Sequence, residues 1–128
     1  MNYYISRNVS GSFDAVKAKV TQLLKDEGFG IKTEIDITET FREKLGVDFK
    51  KYHILGACHP GHALAALQAE DKVGVLLPCN VILIEQEPGV IEVAAMDAAA
   101  MMSGMGNPTL EQVASRVNEH IARVVAGA

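Results

Sequence analysis

Between Ile54 and His62 the chain reads "ILGACHPGH", bringing Cys58, His59, Pro60 and His62 into nine residues. Cysteine and histidine take up borderline transition ions and carry thiol chemistry near neutral pH, so the cluster asks for a chemical account. The other cysteine, Cys79, follows Pro78 inside an apolar run. As metal ligands, Cys58, His62 and Cys79 would supply two thiolates and one imidazole with a position left open, a set suited to zinc or copper. As a redox pair, Cys58 would be the reactive thiol and Cys79 its resolving partner. The spacing matches no recurring zinc pattern, and structural zinc takes four protein ligands. Substoichiometric zinc or copper at most is therefore expected, and no resident cofactor. Against these chemistries stand plainer roles: Cys79 as a small core residue, and His59 and His62 as surface histidines.

Reactivity separates the two thiols. With Pro60 as first helical residue, Cys58 stands just before a helix, where unpaired backbone N–H groups and the dipole favour a thiolate. Cys79 in an apolar strand is suppressed by desolvation. Whether the two can join depends on a Cα separation within about 7 Å, which spacing does not give.

Other chemistry-bearing residues read as structural. His120 lies beside Arg116, Glu119 and Arg123 on the polar side of the last helix and reads as solvated. Met96, Met101, Met102 and Met105 could bind copper(I), but with no repeated Met-x-x-Met array they read as core or dimer contacts. "SGMGNP" lacks the lysine and threonine of a phosphate loop, and Asp36, Asp48 and Asp97 read as strand faces or caps. No spacing reveals a serine-histidine-aspartate arrangement.

The elements that must hold these residues follow from periodicity. "NYYISRNV" is a strand, and Ser10 or Ser12 caps a helix with Phe13, Val16, Val20, Leu23 and Leu24 on one face, ended by Gly28. Ile31, Thr33, Ile35 and Ile37 alternate as a strand with one wet face. Thr38 then caps a short helix to Leu45, stopped by Gly46, and "KKYHILGA" resumes as a strand up to the cluster. After Pro60 a helix places Ala63, Leu64 and Leu67 inward. "KVGVLLPCNVILIEQ" is apolar for too long to be half exposed and reads as a strand in the middle of the fold, with an edge or bulge at Pro78. Pro88 and Gly89 fit a type II turn into "VIEVAAM", its hairpin partner. Asn107 caps and Pro108 opens a last helix with Leu110, Val113, Val117, Ile121 and Val124 on one stripe. The result is one α+β domain over residues 1–128, a mainly antiparallel sheet with helices packed on one face.

Composition bounds the partners. The chain has 128 residues, 48% of them hydrophobic and 22% charged, with a net charge of -4. That balance, without a lysine or arginine run, argues against nucleic acid. No leader or membrane-length apolar run is read, so a cytoplasmic location is expected.

The run "EIDITETFREKLGVDFKKYHILGACHPGHALAALQAE", with "VGVLLPCNVILIE" and "EVAAMDAAAMM", resembles the bacterial and archaeal family known as domain of unknown function 302. The pair "LGAC.P" and "LLPCNV" carries the resemblance, which covers nearly the whole chain. It implies a curved antiparallel sheet of the TATA-box-binding-protein type, crystal forms that are often dimeric, and no assigned activity. Members usually have asparagine where this chain has His59, so a property common to the family could use Cys58 and Cys79 but could not require His59. A TATA-binding sheet reads the minor groove with a basic, aromatic-bearing face, whereas this chain is acidic and 5% aromatic. The expected function is a non-catalytic, homodimeric module binding a small ligand or protein partner near Cys58, His59, His62 and Cys79. The alternative is a thiol redox or sulfur-handling protein.

Overall fold

The computed structural model describes residues 2–128. Strand β1 (Tyr4–Ser10) leads to α1 (Phe13–Asp26), β2 (Gly30–Asp36), α2 (Ile37–Leu45), β3 (Tyr52–Cys58) and α3 (Pro60–Ala69). A 3₁₀ turn at Asp71–Leu76 precedes the hairpin β4 (Cys79–Glu87) and β5 (Val90–Met96), then α4 (Ala98–Met102) and α5 (Pro108–Gly127). The sheet has five strands in the order β1-β5-β4-β3-β2, every pair antiparallel.

Alternation along the strands sorts the two faces. Leu55, Ala57, Cys79, Val81, Leu83, Ile91, Val93 and Ala95 point inward and are buried against Phe13, Val20 and Leu24 of α1 and Leu110, Val117, Ile121 and Val124 of α5. The expected stripe on α5 and the expected central position of β4 are both present. Asn107 accepts from Leu110 N at 3.1 Å, and Pro108 follows in the first turn, where its missing N–H costs nothing.

Several local expectations are corrected. The helix after β2 is capped by Asp36, which accepts from Glu39 N at 3.0 Å, whereas Thr38 ties the loop by donating to Lys50 O and accepting from Tyr52 N. A register shift between Ile31 and Thr33 turns Ile31 toward the core and leaves Ile35 44% exposed on the opposite face. On α3, Leu64 and Leu67 face outward and Ala66 is the buried residue, because α3 lies against α5 and small side chains allow that approach. The apolar run from Val73 to Leu77 is not strand: it closes the 3₁₀ turn. β4 begins directly after Pro78, so proline interrupts no ladder and Cys79 needs no bulge. Met102 is buried, whereas Met101 and Met105 are exposed, so the methionine segment divides between core and surface.

Two details of the framework carry predictions. Asn118 on α5 accepts from Ala98 N at 2.7 Å and donates to Asp97 Oδ1 at 2.6 Å, fixing the residue that caps α4. Asn118→Ala should lower stability by about 1–3 kcal/mol in chemical denaturation, since it strands a partly buried N–H and frees the cap.

His53 points inward on β3, edge-on to Phe13 with ring centroids 4.8 Å apart. Its ring nitrogens lie 3.5 Å from Glu34 and 3.3 Å from Asp36, without hydrogen-bond alignment to either. Burial lowers its pKa from 6.5, a pull that Lys17 and Lys51 reinforce and Asp36 only partly offsets. A histidine held neutral in the fold binds fewer protons than in the unfolded chain below its ordinary value. Its contribution is therefore whole above about pH 6.5 and is lost as pH falls toward the lowered folded value. Urea midpoints should drop between about pH 7.5 and pH 5.5, and His53→Phe should flatten that slope.

Candidate functional site

The C-terminal end of β3, the start of α3, the end of α1 and the middle of α5 meet at one corner of the molecule. His59 is the N-cap of α3: its Nδ1 accepts from His62 N at 3.3 Å, with Pro60 in the first turn. Cys58 therefore stands one residue outside the cap, and an imidazole answers one of the helix's unpaired N–H groups. The His59 ring sits on Gly28, where a Cβ would come 2.8 Å from Nε2, and Gly28 has φ +90°. Glycine is required there on both counts. Phe29, next in sequence, meets the His59 ring edge-on at 5.4 Å.

Beneath this corner is a cavity of about 30 Å³ lined by Phe29, Cys58, His59, His62, Cys79 and Met102, among others. Most of its wall is apolar, including Ala57, Ala63, Ala66, Leu77 and Val113, and its size excludes an organic cofactor, so any polar occupant would have to be held at the edge where the histidines stand. Cys79 is buried, and burial, with the neighbouring Cys58, pushes its pKa to about 11. Cys58 is half-buried, and both thiols are free. Ala57 is the ladder partner of Cys79, so Cys58 is one residue removed from direct pairing. On ideal strand geometry adjacent ladder positions point to opposite faces, so Cys79 is directed inward and Cys58 away from it, and a disulfide between them would require the end of β3 to turn.

His59 and His62 form their closest polar cluster with His120 of α5, not with the thiols. Ring nitrogens of the three histidines all lie within 4.8 Å of one another, and no other group of three or more potential metal ligands comes so close among the described residues. His62 Nε2 and His120 Nε2 are 3.3 Å apart. His120 is thus not the solvated residue expected from its neighbours: its side chain is 25% exposed and its Nδ1 lies 2.8 Å from Glu27 Oε1, at the end of α1. Arg123 reaches the same oxygen, with Nε at 2.9 Å. The Arg123 guanidinium also comes 2.9 Å from His120 Nδ1, but it can only donate. With an ionised carboxylate between them, His120 Nδ1–H donates to Glu27 and the close approach reflects the shared acceptor. Arg123 and then His120 hold the Glu27 pKa below its ordinary value, so the carboxylate is charged at neutral pH. Burial, together with His59, His120 and Arg116, lowers the His62 pKa and keeps its imidazole neutral there.

Glu27 and His120 carry no motif, yet a sequence signal for His120 existed. Val113, Val117, His120 and Val124 are spaced four, three and four, so His120 falls on the inward track of α5 rather than on its polar face.

The model of the family described as domain of unknown function DUF302 matches residues 5–128. The chain belongs to the DUF302 family. A solved structure of an uncharacterized conserved DUF302 protein from Bacillus stearothermophilus is similar along the whole length, with TM-score 0.90, 27% identity and 98% of each chain covered. No curated protein matches the chain. The α+β architecture is thus shared by this DUF302 chain and that relative, and membership brings no assigned activity. No helix among the described residues is long and apolar enough to cross a membrane.

Proposed function

We propose that this DUF302 domain is a non-catalytic binding module that works as a homodimer and holds a very small ligand at the corner between β3 and α3. The observation that carries the reading is the small cavity at that corner, mostly apolar within and with His59 and His62 at its edge, where they cluster with His120. Its place fits the rule that sites in mixed folds gather where strands hand over to helices.

The second copy is argued from the outward face of the sheet. Tyr4 is 42% exposed and Ile35 44% exposed there, and Ile54, Ile82 and Met96 are only half-buried, so the face opposite the helices carries an apolar patch beside the polar Ser6, Asn8, Asn80 and Glu92. An antiparallel sheet normally wets that face with polar side chains, and an apolar patch on it favours a partner. Light scattering should give the mass of a dimer, and Ile82→Glu, which puts a charge in the middle of the face, should give a monomer with unchanged far-UV circular dichroism. A monomer mass for the unaltered chain, independent of concentration, would contradict the homodimer. We propose that any likeness to the TATA-binding-protein type is one of sheet architecture alone.

One observation favours a second reading, thiol redox or sulfur handling: Cys58 and Cys79, both free, line the wall of the same cavity, although their ladder register directs them to opposite faces of the sheet.

A further inference from the structure

The three histidines and Glu27 come from three separate helical elements and converge at one corner, with Phe29 edge-on to the His59 and His120 rings. We propose that His59, His62 and His120 bind one borderline divalent transition ion of the zinc class, with Glu27 as the outer-shell carboxylate that fixes His120. The inference rests on the reading of this domain as a small-ligand module and names a ligand for its histidine edge, since His59 and His62 line the cavity and His120 and Glu27 stand beside it.

Geometry carries it. Two nitrogens bound to one tetrahedral zinc at 2.0–2.1 Å stand about 3.3 Å apart. His62 Nε2 and His120 Nε2 are separated by 3.3 Å already. With Nδ1–H of His120 given to Glu27, its Nε2 bears the lone pair, and the pair is joined by the one proton on His62 Nε2. A metal ion occupies the space between the two nitrogens once that proton has shifted from Nε2 to Nδ1 of His62, so that both rings stay neutral and present their Nε2 lone pairs. The hydrogen bond from His120 to a carboxylate is the arrangement that orients metal-bound histidines and raises their basicity. Arg123 in turn holds the carboxylate from the other side.

His59 completes the set. Its Nδ1 accepts the long 3.3 Å contact from His62 N, so that nitrogen carries a lone pair, and a ring nitrogen of His59 lies within 4.8 Å of those of the other two. Gly28 below and Phe29 at its edge restrict the ring to this neighbourhood. A modest ring rotation, which gives up a weak cap contact, closes the third bond. Three imidazoles leave the fourth tetrahedral position to water or a small anion, the composition of an open site rather than of a structural one. Imidazole donors select zinc, copper and nickel over magnesium and calcium. The third imidazole thus reverses the expectation, drawn from Cys58, His62 and Cys79 alone, that zinc is at most substoichiometric.

The test uses tag-free protein stripped with chelator and titrated with zinc chloride against a chromophoric competitor, with magnesium chloride as control. One zinc per chain is expected, and no magnesium. His62→Ala and His120→Ala should each weaken zinc binding at least about a hundredfold, and Glu27→Gln, which removes no ligand, should weaken it about 10–100-fold. A Cys58→Ser, Cys79→Ser double variant should bind as the parent does. Cobalt(II) substituted into the site should show the intense visible absorption of a four-coordinate ion, lost in His120→Ala. Circular dichroism and thermal unfolding of the metal-free variants separate loss of ligands from loss of fold. Zinc binding that survives in the His62→Ala, His120→Ala double variant, or that disappears with the cysteines, would overturn the proposal. A dimer that binds no zinc but carries another small species would sink the metal assignment and leave the module reading intact, and a bare monomer would sink both.

Discussion

Iodoacetamide at neutral pH should modify Cys58 at least about a hundredfold faster than Cys79 in the folded protein. The attacking species is the thiolate. A thiol whose pKa is pushed to about 11 is ionised in only about one molecule in ten thousand at pH 7. Cys79 is also 7% exposed and inward on the central strand, so the reagent must wait for an opening of the sheet. Cys58 is half-buried at the end of β3 and is reached without such an opening. In denaturant both constraints vanish, and the two rates should converge. Peptide mapping after partial alkylation reads the ratio directly. Equal labelling in the folded state, or faster labelling of Cys79, would contradict the placement of the two thiols and remove the basis for the redox reading.

Leu83→Ala should cost about 3–4 kcal/mol of stability, whereas Leu64→Ala should change it by no more than about 0.5 kcal/mol. Leu83 is 0% exposed in the middle of β4, with His53 and Val93 as its ladder neighbours and the helical layer above. Truncation there removes several buried carbons and leaves a cavity that the flanking strands, held by their ladders, cannot close. Leu64 is 60% exposed, and alanine in its place keeps the helix propensity of α3. Urea titration of the two variants should therefore separate them by about 3 kcal/mol, a large fraction of the roughly 5–15 kcal/mol that a native domain possesses. A similar cost at the two positions would mean that α3 buries its leucine face, as periodicity alone suggests.

That contrast marks where the sequence is legible and where it is not. The stripe on α5, the Asn107–Pro108 start, the hairpin through Pro88 and Gly89 and the central position of β4 are dictated by local rules and by a pattern that tertiary contacts reinforce. α3 reads wrongly because apolar periodicity does not say that a neighbouring helix wants alanine for close approach. The Val73–Leu77 run reads wrongly because an apolar stretch beside a proline serves a 3₁₀ turn as well as a strand, and here Val73 alone is buried while Val75 is 86% exposed. The bulge after Ile31 is likewise invisible, since the residues on either side alternate without interruption. For the site, Cys58, His59 and His62 are legible because they are close in sequence and Cys79 because it stands in an apolar run after Pro78, and all four line one cavity. Glu27 and His120 join them only through the packing of α1 against α5, across 93 residues, which no spacing rule spans.

The most direct measurement is native mass spectrometry of tag-free protein purified without chelator, the parent chain beside His120→Ala. A dimer carrying one divalent transition ion per chain is expected, with the ion absent from His120→Ala. A bare monomer of the parent chain would contradict the account, because neither the outward sheet face nor the histidine corner would then have an occupant.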